Sequence, residues 1–208
     1  MNISSVIKVN FRRLWQYTLA VAVPMLVVGI AIDQPDVSQY ARKTRQYMAD
    51  GNYAKALEVG SASDKTDQRL MMLRVEALGH EKLLGERLFA YPLKGRSGNM
   101  AQRGGDYALC AYLIDKNLDR FVAELPKYYQ PDGPLPRYYR EALVLYNHLR
   151  THPRIVFHDN VMDTDYADLQ QLERQYSDPR ERQMAVFKQY KDTYWYYYDY
   201  LNGKPARR

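Results

Sequence analysis

A chain of 208 residues with 30 basic and 24 acidic side chains, a formal net charge of +6 and one cysteine has room for one ordinary domain and no internal disulfide. Three of the basic residues, Lys8, Arg12 and Arg13, precede the first apolar run, so the remainder carries a net charge of only +3, too little for a nucleic-acid-binding stripe. Twenty tyrosines against five phenylalanines point instead to half-buried surfaces between helices, where a large ring packs while its hydroxyl finds a partner.

Residues 14–32, LWQYTLAVAVPMLVVGIAI, carry no charge and at about 1.5 Å per residue just cross the roughly 30 Å of a bilayer core. Trp15 and Tyr17 suit an interfacial belt, basic residues stand only before the run, and Asp33 and Asp36 follow it. This pattern predicts a single transmembrane anchor over 14–32, a cytoplasmic basic amino terminus over 1–13, and residues 33–208 outside: in a bacterium, a single-pass inner-membrane protein with a periplasmic domain. The same run meets the requirements of a secretory signal, with Gly29-Ile30-Ala31 as a small-x-small cleavage site, and those of a buried helix.

Beyond residue 32 strand-like alternation is missing, Val and Ile are sparse, and good helix formers dominate, so the domain reads as all-α. Helices are expected over 35–50 and 53–60, reversing at Gly51-Asn52, then over 64–80, with Ser63, Asp64 and Asp67 as cap candidates, and 82–90. The segment 94–106, KGRSGNMAQRGGD, has four glycines and no GxxxxGK[ST]; it reads as a flexible surface loop in which Gly98 would tolerate a larger residue. Residues 107–114 are apolar all round and predict the most buried helix, with 117–129 as its partner. Pro136 opens a strongly amphipathic helix over 137–149. A helix over 165–176 follows, then one long helix over 179–201, started by Asp178, Pro179 and Glu181.

The segment 51–57, GNYAKAL, resembles the middle of a tetratricopeptide repeat, and Tyr139-Arg140-Glu141-Ala142-Leu143 resembles a second, weaker copy of its Y-x-x-A-L core. The resemblance implies a tetratricopeptide-like stack of antiparallel helix pairs, packed through Gly51, Tyr53, Ala56, Leu57, Tyr139, Ala142 and Leu143. The whole layout, including the closing DTYWYYYDY, is also similar to the C-terminal part of a group of uncharacterised bacterial membrane proteins, in which several spans precede a helical-repeat domain. That likeness brings no activity with it.

No catalytic motif is present, and no cofactor or metal is expected. His148, His152 and His158-Asp159 are close in sequence, but Pro153 ends the helix and no HExxH occurs. Asp159, Asp163, Asp165 and Asp168 lack the spacing of a calcium loop and suit helix capping. Cys110, inside YALCAYLI, reads as a small core hydrophobe. An enzyme would need a pocket gathering His148, His152, Asp159 and Glu141.

The tyrosine ridges remain. Tyr128, Tyr129, Tyr138 and Tyr139 flank a proline-rich break, and Tyr194, Trp195, Tyr196, Tyr197, Tyr198 and Tyr200 crowd the last helix. Six rings in seven positions exceed one helix face, so they either close the end of the stack or form a recognition surface, with Tyr128, Tyr129, Tyr138, Tyr139, Tyr194, Trp195, Tyr197 and Tyr198 as its candidates. The function expected is a membrane-anchored, non-catalytic protein-interaction or scaffold module whose partner is another protein and not a nucleic acid. The alternative is a glycan- or small-ligand-binding domain that uses the Tyr and Trp rings.

Overall fold

The computed structural model describes residues 36–130 and 133–201, and the elements below lie in the compact unit that begins at Val37. Helices α1 (Val37–Ala49) and α2 (Tyr53–Glu58) form a hairpin that packs on α3 (Gln68–His80). Helix α4 (Leu84–Arg87) runs on into a 3-10 turn, Leu88–Ala90. After a loop come α5 (Gly105–Ile114) and α6 (Leu118–Glu124), then α7 (Arg137–Leu149), α8 (Asn160–Gln175), α9 (Pro179–Tyr190) and α10 (Tyr194–Tyr200). No strand occurs among the described residues, so the domain is all-α.

One turn geometry recurs three times. Gly51 between α1 and α2 has φ +71, Lys82 between α3 and α4 has φ +58, and Lys116 between α5 and α6 has φ +55. After each left-handed residue, the next N–H reaches back five residues: Asn52 to the Tyr47 carbonyl, Leu83 to Leu78 and Asn117 to Tyr112, each at 2.8 Å. This is the Schellman arrangement, which satisfies the carbonyls a helix end leaves unpaired. The side chains of Asn52 and Asn117 then cap the following helix by accepting the N–H of Lys55 and Arg120. The hairpins therefore recur at positions 51, 82 and 116.

The core sits between these hairpins and the C-terminal helices. On α5, Ala108, Leu109, Cys110, Ala111, Leu113 and Ile114 are all buried, as an all-round apolar segment requires. Helix α7 buries Tyr138, Tyr139, Ala142, Leu143 and Tyr146, and α4, α6, α8 and α10 pack against it. Ala56 and Leu57 lie in the same continuous core, and the Tyr53 ring stacks on His80 with centroids 4.1 Å apart. Arg74 of α3 is buried as well: its guanidinium donates to the Gly60 carbonyl at 3.0 Å and lies against the Tyr91 ring, tying the first hairpin to the exit of α4.

Four expectations are corrected. First, no helix among the described residues is long and apolar enough to cross a membrane. The segments that suggested a span, 1–13 and 14–32, lie outside the described residues, and the single-pass inner-membrane, periplasmic placement is withdrawn. Second, the loop 94–106 is pinned rather than loose. Gln68 exchanges hydrogen bonds with the Arg96 backbone at 2.8 and 2.9 Å, the buried Ser97 hydroxyl donates to Asp115 at 2.7 Å, and Met100 is buried in a 3-10 turn. Gly98 has φ +60 there, so it is not indifferent to substitution.

Third, α8 begins at Asn160, because the Asp159 carboxylate accepts the N–H groups of Val161 and Met162 and starts the helix a turn earlier than its apolar pattern suggests. Fourth, the last helix is two. The Thr193 hydroxyl donates to the Tyr190 carbonyl at 2.7 Å and accepts the Tyr196 N–H at 3.1 Å, ending α9 and capping α10 with one side chain.

Gly51→Val places a β-branched residue at a positive φ, with no neighbour within 4 Å of its Cβ, so strain alone destabilises the domain by about 1–2 kcal/mol. Ala56, fully buried, admits no leucine without overpacking by roughly 1–3 kcal/mol. Urea denaturation of both variants of the full chain measures these losses, and a silent Ala56→Leu would refute the close α2 packing.

Candidate interaction site

Tyr194, Trp195, Tyr196, Tyr197 and Tyr198 are consecutive on α10, and all five are buried. A helix can hide five successive residues only when it has neighbours on every side, and α10 lies against α7, α9 and the turn after α4. The Phe89 ring meets Tyr138, Tyr194 and Tyr197 at centroid distances of 4.9, 5.0 and 4.8 Å, the edge-on and tilted spacings that aromatic quadrupoles favour.

The polar atoms that this burial strands find partners. At the amino end of α10, Glu141 of α7 accepts the Tyr194 N–H at 2.6 Å and the Arg137 Nε–H at 2.7 Å, and its backbone carbonyl accepts the Trp195 indole N–H at 2.8 Å. At the carboxyl end, the Lys116 ammonium donates to the carbonyls of Tyr198 and Leu201. Tyr197 donates to the Ile114 carbonyl at 2.7 Å, and Tyr200 to Glu173 at 2.6 Å. Tyr194 is the exception: its hydroxyl is buried with no hydrogen-bond partner. Burial outweighs the Arg137 charge and the Tyr194 N–H and raises the Glu141 carboxyl to about 7.

These contacts decide the fate of the sequence candidates. Tyr138, Tyr139, Tyr194, Trp195, Tyr197 and Tyr198 are interior and form no exposed ridge; of the six, Tyr197 borders the cleft described below. Tyr129 is half-buried, and both its hydroxyl and that of Tyr139 donate to Asp106, at 2.7 and 2.9 Å. Tyr128 alone of the eight is exposed, at 43%. Gly51, Ala56, Leu57, Ala142 and Leu143 stand at the turn and in the core described above.

The titratable residues named as enzyme candidates are not gathered. His148 packs on Tyr166 at 4.7 Å, His152 is exposed, Asp159 caps α8 and pairs with Arg140 at 3.0 Å, and Glu141 is inside against Arg137. No group of three His, Cys, Asp or Glu among the described residues is placed to hold a metal. Burial pushes the Cys110 thiol up to about 12, where almost none of it is thiolate.

A different place is open. The segments 61–66 and 89–94 form one wall of a cleft of ≈ 810 Å³, and Phe187, Lys191, Asp192, Tyr196 and Tyr197 form the other. The Phe187 ring leans on Tyr196 at 5.7 Å, so the encased helix supplies the floor and α9 the lip. Helix α9 buries only Val186, leaving Met184 63% and Phe187 43% exposed. The sequence gives no clear notice of this cleft. Its one signal is PRERQMAVFKQY, where Met and Phe flank a single inward Val and so cannot share its side of the helix.

Comparison with known proteins adds one match: residues 100–201 fit a family described as a family of unknown function (DUF6057). The match runs from the 3-10 turn before α5 to the end of α10, so it includes the Glu141 and Lys116 contacts and leaves the first two hairpins outside. No curated protein and no solved structure matches the chain.

Two measurements test this arrangement. Tyr194→Phe removes a buried hydroxyl that has no partner and stabilises the domain by up to about 1 kcal/mol, whereas Tyr197→Phe orphans the Ile114 carbonyl and costs about 1–2 kcal/mol; equal effects in chemical denaturation would contradict the assignment. Because the folded state holds the Glu141 proton to about pH 7 and the unfolded chain releases it near its usual 4.5, this group's stabilisation is full below the lower value. It is lost as pH rises to the upper one, by about 3 kcal/mol. Glu141→Gln flattens that part of the stability–pH curve; an unchanged slope would show that the carboxyl does not titrate there.

Proposed function

We propose that the domain is a non-catalytic protein-interaction module, built as a tetratricopeptide-like stack of helix pairs, that receives an extended segment of a partner protein in the cleft between α9 and the 61–66 and 89–94 segments. Three observations support the repeat reading. Hairpins with the same left-handed turn recur every 31 and 34 residues, close to the period of that repeat. The first of these turns carries the GNYAKAL motif, and Ala56 and Leu57 of that motif are core residues. Helix pairs of this kind stack because none can bury its apolar face alone.

The observation that carries the interaction reading is the exposed Phe187 at the lip of an aromatic-floored cleft. A large ring left 43% exposed beside a preformed hollow matches the aromatic anchors on which interfaces depend. None of His148, His152, Asp159 and Glu141 lines this cleft. The test is a photo-crosslinking phenylalanine analogue at position 187 of the full chain in its native cells, with the same analogue at the exposed Val161, outside the cleft, as control. A discrete covalent adduct with another protein from 187 and none from 161 is expected; no adduct from 187 would overturn the reading.

A further inference from the structure

The cleft has an electrostatic character as well as a shape. Met184, Phe187 and Lys188 of α9 and its C-cap Lys191 fall at i, i+3, i+4 and i+7, one stripe of that helix, and all four are exposed. The Lys191 ammonium stands 6.0 Å from the centre of the Phe187 ring, so apolar and cationic groups are interleaved at the lip. Across the cleft, Lys94 is exposed on the opposite wall. None of Lys94, Lys188 and Lys191 takes part in an ion pair among the described residues.

The acids at the cleft are Asp64 and Asp192. Asp192 lies in the field of the Arg137 guanidinium, which offsets part of its charge, and its backbone carbonyl accepts the Tyr138 hydroxyl. An incoming chain meets the ammonium groups of Lys94 and Lys191 at the cleft, with Lys188 next along the helix, around an exposed aromatic ring, an arrangement complementary to carboxylates flanking an apolar side chain.

We infer that the partner segment is acidic: a large aliphatic or aromatic side chain lies against Phe187 and Met184, and neighbouring Asp or Glu carboxylates meet Lys94, Lys188 and Lys191. The inference rests on the interaction reading above and specifies its partner. Exposed ion pairs of this kind are individually weak, and their attraction fades beyond about 10 Å at 0.1 M salt. They therefore select and steer the segment, while the apolar contact at Phe187 holds it.

The test is selection from an unbiased display library of random peptides, about a dozen residues long, on the immobilised full chain, enough to fill a groove of this kind. Enriched peptides are expected to be acidic around one large apolar residue. Their affinity should fall about tenfold or more in the Lys94→Glu, Lys191→Glu double variant and on raising salt from about 0.05 to 0.5 M, and should also fall in Phe187→Ala. All three side chains are exposed, and unchanged thermal melts confirm that the variants fold. Neutral or basic peptides that still depend on Phe187 would overturn the acidic inference and leave the module reading standing. No enrichment, or enriched peptides indifferent to Phe187→Ala, would remove both. A dimer in sedimentation that dissociates in Phe187→Ala would put a second copy of the chain at the cleft and overturn the acidic partner.

Discussion

A carboxylate removed from water must be met by hydrogen bonds or give up its charge, and Glu141 does part of each. Its two oxygens accept from the Arg137 guanidinium and from the first N–H of α10, while burial holds its titration near neutrality. Few places in a helical protein tie two elements together so directly: side chain and backbone of one residue on α7 receive both the Tyr194 N–H and the Trp195 indole. That single residue sets the amino end of the aromatic helix against α7.

The opposite end of α10 is held from a distant part of the chain. Lys116 occupies the left-handed position of the α5–α6 turn, which suits glycine better, and its ammonium reaches the carbonyls at the end of α10. The unfavourable backbone costs on the order of 1 kcal/mol, and the contact it permits places a cation where unpaired carbonyls gather. An acid at the amino end and a base at the carboxyl end thus clamp a helix only seven residues long, one that would not persist alone. The aromatic side chains supply burial; the two charged residues supply the address.

Much of this was visible in the sequence where one residue type decides the outcome. The amphipathic pattern over 137–149, the all-apolar 107–114 and the Gly51-Asn52 reversal each depend on local chemistry, and the helices stand where those patterns put them. The turns at Lys82 and Lys116 were not visible, because lysine gives no hint of a positive φ. The break at Thr193 was missed for a related reason. In KDTYWYYYDY the threonine is one polar residue among helix-compatible neighbours, and only the Tyr190 carbonyl and Tyr196 N–H on either side make it a cap. Counting rings against one core face left two outcomes open, closure of the end of the stack or a recognition surface; the rings of the last helix are packed inside, and the exposed ring, Phe187, lies one element earlier.

That displacement matters for function. Had 179–201 formed one continuous helix, Phe187 and Tyr196 would be tied to one rod, and a lip and a floor that meet at an angle could not both come from it. The Thr193 break lets a firmly clamped helix lie beside one that buries a single side chain, Val186. A helix with so little apolar burial sits at the low end of local stability, while α10 is among the most constrained elements of the domain. The cleft therefore draws its aromatic floor from the clamped helix and its lip, with Phe187 and Lys191, from the end of α9. Tyr196 and Tyr197 of the clamped helix line the cleft, and the exposed large side chains, Met184 and Phe187, stand on α9 beside it.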